Sequence, residues 1–311
     1  DDKIFGSNSY VKKLIKTIDD SFLEKLTQKK ILEPCVGMGS FIFSFLRKIY
    51  ENGYSKEKVE TLIKNIYFCD IDENILGLFT ICYKKFIKDL FGIDVTDDLI
   101  KSNSCNGLIF NKFSSDYLSI ETAFKRNIKF DIIITNPPYK GLKIDSKNYS
   151  NPEKYEADKF FYNDLSRKLT KNFTLGNQGV PNLYKFFVEK IILEYANDGA
   201  YISLLIPNTF LADKTTLNLR KHIIENTKIN KIDLFSENSV IFSGVTQAFT
   251  NIYLEKKPTK IYDIEFIEKN LKKQISIDLI KKLDENFSLI AYDQKDVEIL
   301  TKLSNFPKLK S

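Results

Sequence analysis

The sequence predicts an α/β fold built on a doubly wound, mostly parallel sheet. Short apolar runs alternate with longer stretches whose apolar residues recur at helical spacing, and turn residues separate the two kinds of segment. One run, Phe130-Asp131-Ile132-Ile133-Ile134-Thr135, is apolar on both faces, as a central parallel strand must be, and it stops at Asn136-Pro137-Pro138.

The elements follow in order. Val11, Leu14, Ile15, Ile18, Phe22 and Leu26 stand at helical spacing, so 8–25 reads as an opening amphipathic helix. A strand at 30–32 leads through a Gly-containing loop to a helix beginning at Phe41, and a second strand at 66–69 precedes a helix over 73–90. After the strand at 130–135, residues 140–181 are polar, aromatic and lysine-rich with weak periodicity, and read as one long functional loop. The alternation then resumes with a helix at 183–195, a turn at 197–199, a strand at 201–206, a helix at 215–225 and strands at 231–235 and 249–254. A boundary is expected near Lys256-Lys257-Pro258. Beyond it, a strand at 261–267 and short helical pieces make a small appendage, too little for an independent domain.

Composition narrows the function classes. With 311 residues, 43% hydrophobic and 28% charged, the chain has a globular composition. No apolar run approaches the ~18 residues of a membrane span and no signal region follows the charged start, so a cytoplasmic protein without a membrane partner is expected. Cys35, Cys69, Cys82 and Cys105 are too few and too dispersed for a disulfide framework, and are expected to be reduced, mostly buried thiols. His222 is the only histidine, which removes histidine-based triads and multi-histidine metal sites; no metal is expected. Met38 is the only methionine and the chain does not begin with one, so a processed chain or a piece of a longer one is expected. The basic excess, 47 against 41, sits in 140–181 (eight basic, five acidic) and 256–311 (twelve basic, nine acidic), where positive segments can follow a phosphate backbone.

In open parallel sheets ligands bind beyond the carboxyl ends of the strands. Three such ends carry chemistry. The first is Glu33-Pro34-Cys35-Val36-Gly37-Met38-Gly39, where Gly37 and Gly39 let backbone approach a ligand at a helix N-terminus. It lacks the spacing of a phosphate loop, and its leading Glu33 suits a cationic or hydroxyl-bearing ligand better than pyrophosphate. The second is Asp70-Ile71-Asp72, where Asp70 is placed to accept hydrogen bonds from ribose hydroxyls and Asp72 to cap the following helix. The third is Asn136-Pro137-Pro138-Tyr139. The exocyclic amine of adenine is a poor nucleophile because its lone pair is conjugated with the ring. If the Asn136 amide oxygen and the rigid Pro137 carbonyl each accept one amine hydrogen, the lone pair turns toward an electrophile, while Tyr139 offers a ring face to the base.

These motifs resemble the gamma-order, Taq-type adenine-N6 DNA methyltransferases of bacterial restriction-modification systems, over 5–257. The resemblance implies a Rossmann-like, seven-stranded class I S-adenosylmethionine-dependent methyltransferase domain over 1–257, with 140–181 as a DNA-facing insertion. It implies that 258–311 begins a target-recognition region much shorter than the family's. Glu33, Gly37, Gly39, Asp70, Ile71, Asp116, Tyr117, Asn136 and Pro138 are then expected to hold the cofactor, with Asp116-Tyr117-Leu118 holding its adenine. Asn136, Pro137, Tyr139 and Phe242 are expected to act on the target base, Phe242 as the second stacking face. Asn182-Leu183-Tyr184 with Phe187, and Ile206-Pro207-Asn208-Thr209-Phe210, are similar to two further family segments. Ser7-Asn8-Ser9-Tyr10 departs from the family's Thr-Pro segment.

The implied activity is methylation of an adenine flipped out of double-stranded DNA, with a separate specificity or endonuclease subunit as a further partner. Methylation of RNA or of a protein glutamine, and a non-catalytic DNA-binding subunit, stay open at this point. Glu255-Lys256-Lys257 formally matches a nuclease ExK pattern, but lies at a strand end already accounted for.

Overall fold

The structure is a computed structural model that describes residues 26–236, 248–269 and 271–304. The expected helix over 8–25 and the segment Ser7-Asn8-Ser9-Tyr10 lie outside the described residues, as does Phe242. The strands are β1 (Ile31–Glu33), β2 (Ile66–Asp70), β3 (Ser104–Asn106), β4 (Phe130–Thr135), β5 (Ala196–Pro207), β6 (Lys228–Phe235), β7 (Phe249–Glu255), β8 (Asp263–Glu268) and β9 (Leu271–Ser276). The helices are α1 (Ser40–Glu51), α2 (Lys56–Ile63), α3 (Glu73–Phe91), α4 (Asp97–Asn103), α5 (Ile120–Phe124), α6 (Pro152–Asn172), α7 (Leu183–Lys190), α8 (Leu217–Asn226), α9 (Ile277–Leu283) and α10 (Gln294–Ser304). One π-helical turn, Ile191–Tyr195, continues α7.

All nine strands form one sheet in the order β3-β2-β1-β4-β5-β7-β6-β8-β9. The first five in that order are mutually parallel, and β7 runs antiparallel between β5 and β6. From β1 the chain winds outward through β2 and β3, then returns to place β4 on the other side of β1. The carboxyl ends of β1 and β4 therefore flank the point where winding reverses, the crevice in which such sheets take ligands.

β4 explains why the sheet is covered twice. Its side chains alternate between faces. Ile132 and Ile134 pack with Phe43, Phe68 and Phe79 from the α1 and α3 side, whereas Ile133 packs with Val188, Ile191 and Ile223 from the α7 and α8 side. Asp131, the one charged residue of the strand, is half-buried; it accepts from the Lys30 amide at 2.9 Å and the Asn197 side chain at 3.1 Å.

Two expectations change. Residues 140–181 are not one loop, because they contain the 21-residue helix α6. Asn151 caps it by accepting from the Lys154 amide, and Pro152 occupies its first turn. Only Leu165 and Leu169 of this helix are buried, so its apolar stripe is too short to register as a period. The sheet also has two strands beyond the seven expected. β8 pairs parallel with β6, and β9 antiparallel with β8. Fully buried Arg220 stitches the segment after α9 to the strand-end turn beneath it, donating to the carbonyls of Phe210 (2.8 Å), Asn286 (2.9 Å) and Phe287 (3.2 Å).

The four cysteines are free thiols; Cys69 and Cys105, cross-strand neighbours on β2 and β3, are buried with their sulfurs 2.6 Å apart. Among the described residues no group of three or more His, Cys, Asp or Glu side chains can hold a metal, and no helix is long and apolar enough to cross a membrane.

Candidate cofactor and substrate site

A cavity of about 440 Å³ opens at the carboxyl ends of β1, β2, β3 and β4, a size that suits a small organic ligand. Pro34 and Cys35 line it from the β1 loop, Asp70, Ile71 and Asp72 from β2, and Asn136 and Pro138 from β4. Asn136 thus faces the same space as Asp70.

The loop after β1 is held by its backbone. The Val36 amide donates to the Cys69 carbonyl at 2.8 Å, and the Gly37 amide to Asp70 Oδ2 at 2.9 Å. Gly37 and Gly39 both adopt positive φ, 51° and 80°. At Gly39 a Cβ would lie 2.3 Å from the Phe79 ring and 2.7 Å from that of Phe43, so the loop can sit this close to α3 only without a side chain. Neither glycine lines the cavity; they fix the loop that carries Pro34 and Cys35.

The two carboxylates beneath the loop differ. Asp70 accepts from the Gly37 amide and, through Oδ1, from the Asp72 amide at 2.9 Å. It is therefore a brace between two strand ends as well as a wall of the cavity, and each oxygen keeps a lone pair for a ligand hydroxyl. Asp72 caps α3, accepting from the Asn74 and Ile75 amides. Glu33 lies just below, 2% exposed, and neither of its oxygens has a hydrogen-bond partner of good geometry among the described residues. Burial, with Asp70 adding repulsion, pushes its carboxyl well above the ordinary carboxylate range.

At the end of β4, Pro137 is buried and Tyr139 half-buried behind the cavity wall. The Tyr139 ring lies 5.4 Å from Phe249, tilted by 34°, so one of its faces is already packed, and it meets Tyr184 edge-on. Its hydroxyl lies within donating distance of the Leu205 carbonyl, 2.7 Å away, and of the Asn136 side-chain oxygen Oδ1.

Asp116 and Tyr117 are not brought to the cavity. Asp116 binds Lys168 of α6 at 2.7 Å, and the Tyr117 hydroxyl donates to Glu194 at 2.6 Å with Lys190 over its ring. Burial lowers the Lys190 ammonium to about 8 despite neighbouring Glu194. The wall assigned to 116–118 is formed instead by Gly107, Leu108, Ile109 and Phe110, directly after β3. Gly107 has φ 85°, and a Cβ there would meet the Phe110 carbonyl at 2.8 Å. Leu183 and Phe187, at the start of α7, complete the apolar lining, and Phe161 and Tyr162 of α6 enter it unannounced by the sequence.

An open sheet in this strand order, with an antiparallel β7 and a site at the winding reversal, defines the class I S-adenosylmethionine-dependent methyltransferase fold. The comparisons make that class specific. The family model for Eco57I restriction-modification methylases matches residues 64–242. The chain belongs to the Eco57I restriction-modification methylase family. Among curated proteins, the Type II methyltransferase M.BsuBI of Bacillus subtilis is 24% identical over 219 residues, which is 70% of this chain and 36% of that protein. The Type II methyltransferase M.HincII of Haemophilus influenzae is 29% identical over 169 residues, 54% of this chain and 30% of that one. The chain thus spans about a third of the length of these relatives. Among solved structures, a nuclease-deletion mutant of the Type ISP restriction-modification enzyme LlaGI, in complex with a DNA substrate mimic, superposes with a TM-score of 0.63 at 16% identity, covering 92% of this chain and 27% of that one. The DrdV–DNA complex gives 0.60 at 15% identity, covering 94% and 32%.

The residues present fit the cofactor of this class. S-Adenosylmethionine combines a flat adenine, ribose hydroxyls and a cationic end. The cavity offers apolar planes from Ile71, Phe110 and Phe187 and the Asp70 carboxylate; Glu33 does not line it, but lies near enough to Asp70 to feel its charge.

Proposed function

We propose that this chain transfers a methyl group from S-adenosylmethionine to the N6 amine of an adenine in double-stranded DNA, as the methylating part of a restriction-modification system. The observation that carries the reading is the placement of Asn136, facing the cavity beside Asp70 at the winding reversal.

The Tyr139 hydroxyl explains how that amide can be oriented. It has one proton and two oxygen neighbours, and burial drives its pKa up, so it stays a donor. In the structure Asn136 Oδ1 lies against this hydroxyl; the reading requires the amide to turn over, so that its NH2 donates to the hydroxyl while the hydroxyl donates to the Leu205 carbonyl. The Asn136 oxygen is then turned to the cavity, where it accepts one hydrogen of the target amine, and the Pro137 carbonyl accepts the second. The nitrogen lone pair, no longer held in conjugation, points at the reacting carbon. Asp70 binds ribose hydroxyls and supplies negative potential, and Ile71 and Phe187 hold the adenine. Bound there, the cofactor provides an electrophilic methyl group. No general base is required, because the nitrogen becomes acidic once it is alkylated and its proton passes to solvent. Positioning and electrostatic fit supply most of the acceleration.

Tyr139 acts in this reading through its hydroxyl as well as its ring, and Phe242 remains a proposed second stacking face. A separate subunit contributing specificity or cleavage is a further proposal. The test is incubation of the full chain with tritiated S-adenosylmethionine and, in parallel, duplex DNA, RNA and total protein, followed by nucleoside analysis. Label in N6-methyladenine of DNA is the expected result. Label confined to RNA or to protein overturns the substrate assignment.

A further inference from the structure

We infer that helix α6 belongs to the cofactor site. Its Phe161 and Tyr162 form the outer wall for the adenosine half of S-adenosylmethionine, and a polar clasp of Ser115, Asp116, Asp164 and Lys168 holds that wall in place. The inference rests on the reading of the cavity given above and extends it to the segment 140–181, expected from the sequence as a DNA-facing insertion.

The wall and the clasp share one helical face. Phe161, Asp164 and Lys168 stand at positions i, i+3 and i+7, one above another on the helix surface. Phe161 and Tyr162 line the same cavity as Asp70 and Ile71, and the Phe161 ring packs against that of Phe110, with centroids 6.4 Å apart and planes tilted by 56°. Lys140, directly after Tyr139, sits 5.0 Å from the Tyr162 ring centroid and ties this wall to the end of β4. The adjacent Phe160 is 80% exposed, so the face turned inward is selected, not forced by general burial.

Phe110 leads directly into the turn that the helix grips. That turn is closed by the Asn111 amide donating to the Asp116 carbonyl and the Ser115 amide to the Asn111 carbonyl, each at 2.8 Å, with Ser115 held at φ 55°. From α6, Asp164 accepts from the Ser115 hydroxyl at 2.5 Å. Lys168 reaches the Ser114 carbonyl at 2.8 Å, Asp116 Oδ1 at 2.7 Å and Asp164 Oδ2 at 2.9 Å. One set of bonds therefore fixes both rings of the packed Phe110–Phe161 pair that lines this end of the cavity. The same bonds neutralise charge that a DNA-facing helix would present: Lys168 meets two carboxylates, Arg167 meets Asp164 at 2.5 Å, and Lys159 meets Glu156 at 3.3 Å.

The test uses the full chain and S-adenosylhomocysteine as the probe, with hydrogen exchange and calorimetry as readouts. Saturating probe is expected to slow exchange in 152–172 together with 70–73 and 107–110. Protection of 70–73 and 107–110 without 152–172 overturns the wall while leaving the cavity reading intact. Protection at none of the three overturns the cavity reading and the wall with it. Phe161→Ala is expected to weaken probe binding about tenfold, and Phe161→Trp, which keeps an aromatic plane, by less than about threefold. Lys168→Met, at the helix surface, is expected to weaken binding several-fold and to abolish the protection of 152–172 while 70–73 stays protected. Unchanged probe affinity in both Phe161→Ala and Lys168→Met overturns the inference.

Discussion

The floor and the outer wall of the cavity are held in opposite ways. The floor consists of strand ends, braced by backbone amides that donate to the Cys69 carbonyl and the Asp70 carboxylate, over a core in which Phe43, Phe68 and Phe79 interlock. The wall is a helix with two buried residues, secured by hydrogen bonds and ion pairs among partly exposed side chains. Close packing punishes any added atom, whereas ion pairs in contact with water yield to salt. The floor should therefore respond to changes of shape, and the wall to changes of charge.

The largest stability effect is expected at the floor. Gly39→Ala places a Cβ against the Phe79 ring at 2.3 Å on a residue at φ 80°, which should cost about 3 kcal/mol and abolish cofactor binding. Urea unfolding and calorimetry check this; a variant as stable as the parent would mean that the loop is less tightly braced than described. Tyr139→Phe keeps the ring and removes the hydroxyl that orients Asn136. Methyl transfer should fall about tenfold, one misdirected hydrogen bond in the transition state, with cofactor affinity unchanged. Single-turnover kinetics separates this from a packing defect, which would lower both.

Glu33 sharpens the contrast through pH. Its folded pKa lies above its unfolded value, so between the ordinary carboxylate pKa near about 4.3 and the raised one the unfolded chain releases a proton that the folded chain keeps. Stability should thus fall as pH rises through that window. Glu33→Gln should flatten the profile and leave the variant the more stable one at neutral pH, as denaturation from pH 4 to 8 will show. The smallest effect belongs to the wall. Raising salt from about 0.05 to 1 M should speed hydrogen exchange in 152–172 while leaving 31–36 unchanged, because only the former depends on screened charges.

The same division decides what could be read in advance. β4 is an unbroken apolar run because both its faces are buried, and it ends on the two prolines, so its limits and the placement of Asn136 were legible. Asp70 ends another such strand and Ile71 follows it. β3 is three residues long, Ser-Cys-Asn, with no apolar run to mark it, so the cavity wall that follows it carries no strand signature in the sequence. The signal that remained was Gly107 at the head of Leu108-Ile109-Phe110, a glycine before an apolar triplet. Phe161 and Tyr162 were hidden for a different reason. They ride on a helix whose stability comes from its cap, its side-chain pairs and two leucines, none of which leaves a periodic trace.

In the proposed reaction the Asn136 amide reshapes the target amine while contributing little to holding the cofactor. The most direct measurement is methyl transfer to duplex DNA by Asn136→Ala, with S-adenosylmethionine affinity determined on the same preparation. The account predicts turnover lowered at least about a hundredfold with affinity within about twofold of the parent. Near-parental turnover by that variant would contradict it.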